Sequence, residues 1–212
     1  MRMTRLLATG LALALLVPAL AQAQEGRRFT DSWYWGVKAT NLTYWTTRIR
    51  HGQAQGLGGE WMLTRTRAAL LLGAEWFSFG DVYDLEDTAP SSLRGEPVAM
   101  KSMSRVSATL LAFPKNFGGL RPYAGVGFAY NHIDASIPSG SRASMGEVSD
   151  ASVIISPTLM AGIQAQYRRF SIFGQGTFQA SMANEFLLNG NQAYIVEGGI
   201  RYNFGSSIEG SR

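Results

Sequence analysis

Apolar and polar residues alternate one for one along much of this chain, and this pattern restricts the fold more than any other feature. Residues 192–204 show it clearly. One face of this segment carries Tyr194, Val196, Gly198, Ile200, Tyr202 and Phe204, and the other carries Ile195, Glu197, Gly199, Arg201 and Asn203. Successive side chains of a β-strand point to opposite faces, so a period of two predicts a strand with one apolar face.

The alternation recurs in eight segments that are separated by breaks rich in Gly, Asn or Pro. The predicted strands cover about 33–45, 56–64, 67–80, 101–113, 120–133, 152–167, 170–181 and 192–204. Beyond the N-terminal residues, no run of apolar residues approaches the roughly 20 that a membrane helix needs. The sequence therefore predicts an all-β protein.

The connections between these strands alternate between long and short. The long ones cover about 46–55, 81–100, 134–151 and 182–191, and the short ones about 65–66, 114–119 and 168–169. Tight turns at one end and long loops at the other are typical of barrels that cross a bacterial outer membrane. We therefore expect an eight-stranded antiparallel up-and-down transmembrane β-barrel.

The composition favours an apolar exterior and a polar interior. Only 16% of the residues are charged, against about 25% in a typical soluble domain. The polar faces carry mainly Gly, Ser, Thr and Gln, which suit a narrow lumen, and aromatic residues near the strand ends suit the two membrane interfaces. These aromatic residues are Trp33, Trp35, Trp45, Tyr167, Phe170, Tyr202 and Phe204. The alternative is a soluble barrel that packs the same aromatic residues into a dry core.

Six charged residues fall within strands at positions that suit the interior. They are Lys38, Glu60, Glu75, Arg105, Glu197 and Arg201, three bases and three acids. An unpaired charge in a narrow interior costs several kcal/mol, so a balanced set is expected to pair. We predict an internal network that fills the lumen, because eight strands leave room for little more than side chains. The alternative places several of these residues at strand ends, in water.

The first residues have the features of an export signal. Arg2 and Arg5 precede the apolar stretch from Leu6 to Leu20, and Ala21-Gln22-Ala23 has the pattern of a cleavage site. We expect a cleaved signal peptide over 1–23, a barrel over 24–204 and a short tail over 205–212. The alternative is a retained membrane anchor, for which the apolar stretch is short.

Two motifs carry a resemblance to a known family. Residues 197–204 read Glu-Gly-Gly-Ile-Arg-Tyr-Asn-Phe, and residues 121–130 read Arg-Pro-Tyr-Ala-Gly-Val-Gly-Phe-Ala-Tyr. Both resemble strands of small outer-membrane β-barrels of the OmpA, OmpW and opacity-protein type. The resemblance implies an outer-membrane location among phospholipid and lipopolysaccharide. It also implies an assembly signal, read by the barrel-assembly machinery, that includes Gly199, Tyr202 and Phe204. The chain continues for eight residues beyond that signal.

Few residues offer chemistry for catalysis or metal binding. The chain has no Cys and two His, so a thiolate nucleophile and a His-rich metal site are excluded. His132, Asp134 and Ser136 have the residue types of an acyl hydrolase and alternate along one strand, but a solvated rim is the preferred interpretation. His51 lies in the first long loop. We expect no enzyme activity, no cofactor, no metal and no nucleic-acid partner.

The sequence thus favours a monomeric barrel with a structural or surface-interaction role, exerted through long loops whose ligand it does not identify. Passive uptake of a small hydrophobic ligand through a lateral opening is the first alternative, as in proteins resembling OmpW. A lipid A-modifying enzyme is the second.

Overall fold

The computed structural model describes residues 31–44, 52–79, 82–84, 97–114, 119–136, 152–180 and 192–206, and nearly all of them lie in β-strands. The strands are β1 (Ser32–Tyr44), β2 (Gly52–Thr64), β3 (Ala68–Ser78), β4 (Val82–Asp84), β5 (Pro97–Ala112), β6 (Leu120–Ser136), β7 (Val153–Tyr167), β8 (Phe170–Ala180) and β9 (Gln192–Ser206). Within these ranges no helix is long and apolar enough to cross a membrane.

The eight long strands form one closed sheet. Its order is β3-β2-β1-β9-β8-β7-β6-β5, and an additional pairing between β3 and β5 closes the ring. Every pairing is antiparallel. The three-residue β4 pairs with the first residues of β5, beyond the point where β3 ends. The prediction of an eight-stranded antiparallel up-and-down barrel is confirmed.

The strands are steeply tilted, because the pairing is staggered round the barrel. A path that starts at Tyr34 and follows paired residues through all eight long strands returns to β1 at Tyr44, ten residues further on. For eight strands, a stagger of this size corresponds to a tilt of roughly 40° from the barrel axis. The lumen of such a barrel is just wide enough to be filled by side chains.

Three strands, β2, β5 and β6, extend further than the sequence predicts at the end that carries the long connections, here called the loop end, and β9 continues at the opposite end to Ser206 instead of residue 204. β2 begins at Gly52 instead of residue 56, β5 begins at Pro97 instead of 101, and β6 ends at Ser136 instead of 133. In β2 the additional outward-facing residues include Gln53 and Gln55, both exposed. A sequence with polar outward-facing residues resembles a loop, although the backbone of these residues continues the antiparallel pairing of β2 with β1.

The opposite end, here called the turn end, carries two tight connections within the described ranges. Between β2 and β3, the Arg65 amide donates to the Ala68 carbonyl at 2.7 Å. Between β7 and β8 the turn has only two residues, Arg168 and Arg169, and Arg168 adopts a left-handed backbone conformation with φ of 54°. Most of the predicted long connections, the predicted signal peptide, Trp45 and His51 lie outside the described residues.

Candidate functional site

The outer wall of the barrel is apolar. Large hydrophobic side chains from all eight long strands point away from the lumen, and Val37, Leu57 and Val196 are each about two-thirds exposed or more, at 70%, 70% and 66%. A water-soluble protein rarely exposes a continuous apolar surface that encircles the molecule. This surface has the character of a lipid-facing wall, since a closed barrel leaves no backbone group unpaired in hydrocarbon.

The height of this wall matches the apolar core of a membrane. On β9 the outward positions run from Tyr194 to Phe204, and ten residues rising about 3.3 Å each at a tilt of about 40° span roughly 25 Å along the axis. Aromatic pairs mark both edges. Phe178 contacts Tyr194 towards the loop end (5.3 Å between ring centroids), and Phe170 contacts Tyr202 at the turn end (5.1 Å).

The lumen contains all six charged residues that the sequence placed there, and each is at most 4% exposed. We call them the ionic layer. Lys38 lies at its centre: its Nζ is 2.5 Å from Glu75 Oε1, 2.7 Å from Glu197 Oε1 and 3.7 Å from Glu60 Oε2. One ammonium group therefore faces carboxylates from β2, β3 and β9.

Two arginines complete the ionic layer and balance the charge. Arg105 Nη1 is 2.8 Å from Glu75 Oε2, and these two residues are direct cross-strand neighbours. Arg201 pairs with Glu60 through its Nε atom. Glu60 and Arg201 both lie opposite Gly36, on either side of β1, so this ion pair spans β1 on the lumen side.

Neutral polar residues hold the arginines in place. Arg201 donates to Gln164 Oε1 at 2.6 Å and to Gln175 Oε1 at 3.0 Å, and its guanidinium lies 3.7 Å from the centroid of the Phe173 ring. Gln175 in turn donates to Glu197 Oε2 at 2.6 Å and accepts from the Tyr123 hydroxyl at 2.7 Å. The alternation assigns these glutamines to the polar face, but it does not identify them as partners of Arg201.

Glycines provide the space that the long charged side chains need. A Cβ atom at Gly73 would lie 2.6 Å from Glu75 Oε1 and 2.8 Å from Ser107 Oγ. At Gly199 it would overlap the Val37 carbonyl oxygen and lie 2.9 Å from Lys38 Cα. Gly199, predicted as part of the assembly signal, thus faces the lumen, whereas Tyr202 and Phe204 contact each other on the outer wall (5.0 Å).

Apolar side chains lie inside the barrel on both sides of the ionic layer, which the sequence analysis did not predict. The loop-end cluster comprises Leu42, Tyr44, Ala54, Phe77, Phe79, Met100, Met103, Ile133, Ile154, Ala193 and Ile195. The turn-end cluster comprises Tyr34, Met62, Ala69, Leu71, Leu111, Phe113, Tyr123 and Met160. The lumen is therefore layered as apolar, ionic and apolar.

The candidate catalytic residues lie away from this interior. His132, Asp134 and Ser136 follow one another along the outward side of β6 near the loop end, and His132 and Asp134 are exposed. Ser104 of β5 is the cross-strand neighbour of His132. Among the residues that the structure describes, no side chain is within hydrogen-bonding distance of the His132 ring.

The closed ring, the apolar outer wall and the buried ionic layer define a small barrel of the outer-membrane type. Solved structures share this fold. Neisserial surface protein A is 9% identical, with a TM-score of 0.57, over 81% of this chain and 97% of its own. Ail, the attachment invasion locus protein of Yersinia pestis, is 12% identical, with a TM-score of 0.54, over 83% of this chain and 100% of its own.

At these identities the likeness establishes the fold, and the sequence resemblance to small outer-membrane barrels is confirmed at that level. No protein-family model matches the sequence. A comparison with curated proteins finds no significant match.

Proposed function

We propose that this chain is an integral outer-membrane protein whose barrel is a sealed scaffold, with a structural or surface-interaction role exerted at its loop end. The layered lumen is the observation that carries the proposal. An ion would have to pass two apolar clusters and the ionic layer, in which Lys38 already contacts three carboxylates. If the lumen does not conduct, the loop end is the region whose sequence can vary and which can bind a partner.

Conductance across planar bilayers tests the sealed lumen. The wild-type protein is expected to give no sustained current, and to leave sugar permeation into liposomes at the level of protein-free liposomes. A stable open-pore current from the wild-type protein would contradict the proposal.

A matched pair of variants locates the seal. Glu75→Ala with Arg105→Ala removes an ion pair from the lumen, and we expect it to raise the leak current. Trp76→Ala with Val106→Ala changes the next residue on each of the same two strands, but on the outer wall, where Trp76 is 53% and Val106 56% exposed. This second variant is expected to stay at baseline. Equal leaks from the two variants would argue against a seal made by the ionic layer.

Uptake of a hydrophobic ligand is the second candidate, and the loop-end cluster favours it. Side chains such as Phe77, Met103 and Ile195 form an apolar lining at the end of the lumen that would face the cell exterior. Binding of a fluorescent alkyl probe would support this function if Ile195→Gln reduced it and Val196→Gln, on the outer wall, did not. Binding that both substitutions reduce equally would place the probe on the outer wall.

The proposal includes export through a signal peptide over 1–23, insertion by the barrel-assembly machinery and contact with outer-membrane lipids as a monomer. Tyr202 and Phe204 on the outer wall, next to the end of β9, are consistent with a role in assembly.

The proposed function includes no catalytic role. Replacing His51 and His132 by Ala is expected to leave the lipid A composition of the host membrane unchanged, and an altered composition would restore the enzyme alternative.

A further inference from the structure

The two-residue turn between β7 and β8 presents two adjacent guanidinium groups. Arg168 and Arg169 are both exposed. Across the described ranges neither has a carboxylate within ion-pair distance, whereas Arg65 at the turn between β2 and β3 lies 3.4 Å from Asp31. The turn between β7 and β8 thus carries two positive charges that no described acidic side chain neutralises.

Both guanidinium groups are held against the outer wall. Arg169 Nη1 donates to the Tyr202 hydroxyl at 3.0 Å, and the Arg168 guanidinium lies 5.5 Å from the centroid of the Tyr167 ring. Tyr167 and Tyr202 belong to the outward-facing set of β7 and β9. The Arg169 carbonyl also accepts from the Asn203 amide at 2.7 Å, which fixes the turn. The two charges therefore lie at the turn-end edge of the apolar wall, where lipid headgroups would contact it.

The left-handed backbone conformation of this turn is energetically unfavourable for Arg168. Arg168 has φ of 54°, in the left-handed region that Gly and Asn occupy at lower cost than other residues. A two-residue connection between antiparallel strands commonly uses Gly or Asn for this reason. The backbone of the turn therefore does not favour Arg at this position.

The wall directly above the turn is apolar and recessed. Ile172 of β8 and Ile200 of β9 are cross-strand neighbours with exposed side chains. The next outward pair is Gly174 and Gly198, and a Cβ atom at Gly174 would meet no atom within 4 Å. An alkyl chain that lies along this wall would contact the isoleucine side chains without obstruction by larger neighbours.

We propose that this surface binds an anionic phospholipid, with the headgroup phosphate on Arg168 and Arg169 and an acyl chain along β8 and β9. Guanidinium groups match the geometry of phosphate oxygens, and interfacial basic residues attract anionic lipid. The inference depends on the proposed membrane location. Short turns of such barrels face the periplasm, so the ligand comes from the phospholipid leaflet on that side.

Native mass spectrometry of the folded protein tests this site. The protein is released from micelles that contain phosphatidylglycerol or phosphatidylcholine with the same acyl chains, and the retained lipid is counted. The wild-type protein is expected to retain phosphatidylglycerol roughly five- to thirty-fold more than phosphatidylcholine, the range for one or two interfacial basic contacts. Arg168→Gln with Arg169→Gln should abolish this preference.

The control variant, Arg65→Gln with Arg67→Gln, removes the same charge from the turn between β2 and β3 and is expected to keep the preference. Equal loss in both double variants would indicate diffuse attraction and overturn the site. Retention of inorganic phosphate but not of phosphatidylglycerol would overturn the lipid assignment.

Heat-modifiable migration on gels, which reports whether the barrel is folded, is measured for every variant. A wild-type protein that lacks this behaviour would refute the membrane proposal itself, whereas a properly folded wild-type protein without lipid preference would refute only this inference.

Discussion

Replacing Arg201 by Met tests whether the ionic layer stabilises the barrel. Methionine keeps an unbranched apolar stem, but it is shorter than arginine and removes both the charge and the guanidinium that lies over the Phe173 ring. Glu60 then loses its guanidinium partner, and its remaining described cation is Lys38 Nζ at 3.7 Å. Gln164 Oε1 also loses its 2.6 Å donor.

The magnitude follows from complete burial. Arg201 is 0% exposed, so solvent screens neither the lost attraction nor the unpaired carboxylate. Removing one partner of a buried pair typically destabilises a protein by about 3–5 kcal/mol. We expect Arg201→Met to lower the free energy of unfolding by about that amount, and Arg67→Met at an exposed turn position to change it by less than about 0.5 kcal/mol.

A double-mutant cycle separates the ion pair from simple packing. Equilibrium unfolding by urea in liposomes is measured for Arg201→Met, Glu60→Gln and the double variant. Because the double variant leaves no unpaired charge at this point, its loss should be smaller than the sum of the single losses by about 2 kcal/mol. Additive losses, or a loss below about 1 kcal/mol for Arg201→Met, would refute the reasoning.

Three further outcomes are expected from the same unfolding assay. Lys38→Met leaves three carboxylates without their shared cation and should destabilise the barrel by at least about 3 kcal/mol, and Glu197→Gln in the same chain should restore part of that loss; no restoration would contradict the three-way contact. Gly199→Ala should lower the free energy of unfolding by about 1–3 kcal/mol, because its Cβ would overlap β1. Gly174→Ala on the open outer wall should change the free energy of unfolding by less than about 0.5 kcal/mol. Similar losses in the two variants would argue against crowding in the lumen. Arg168→Gly should stabilise the protein by about 0.5–1 kcal/mol by relieving the left-handed backbone, and a destabilised variant would show that this conformation is unstrained.

The alternation of residue types was sufficient to predict the eight long strands and their faces, but not the three-residue β4 inside the connection predicted over 81–100. In β9, for example, one residue in two is apolar and exposed, and Glu197 and Arg201 face inward as the period requires. The ends of strands were less predictable. Where a strand leaves the membrane, its outward residues become polar, and Gln53 and Gln55 then read as a loop although they continue β2.

The partners inside the lumen could not be derived from the sequence, because they depend on the stagger between strands. Glu60 and Arg201 are 141 positions apart and meet across β1 only because both lie opposite Gly36. The apolar clusters have the same origin. Phe77 and Ile195 occupy lumen positions in their own strands, and only the register brings them into one cluster. The orientation of Arg168 and Arg169 towards the outer wall likewise depends on side-chain contacts that the sequence pattern does not encode.

The orientation of the two faces of β9 is the central claim, and spin labelling in liposomes tests it most directly. The chain has no Cys, so single cysteines introduced at successive positions from Tyr194 to Ile200 can each be labelled without background. We expect accessibility to oxygen, which is enriched in hydrocarbon, to alternate with a period of two. It should be high at Val196 and Gly198 and low at Ile195 and Glu197. Uniform accessibility, or high oxygen accessibility at Glu197, would contradict the account.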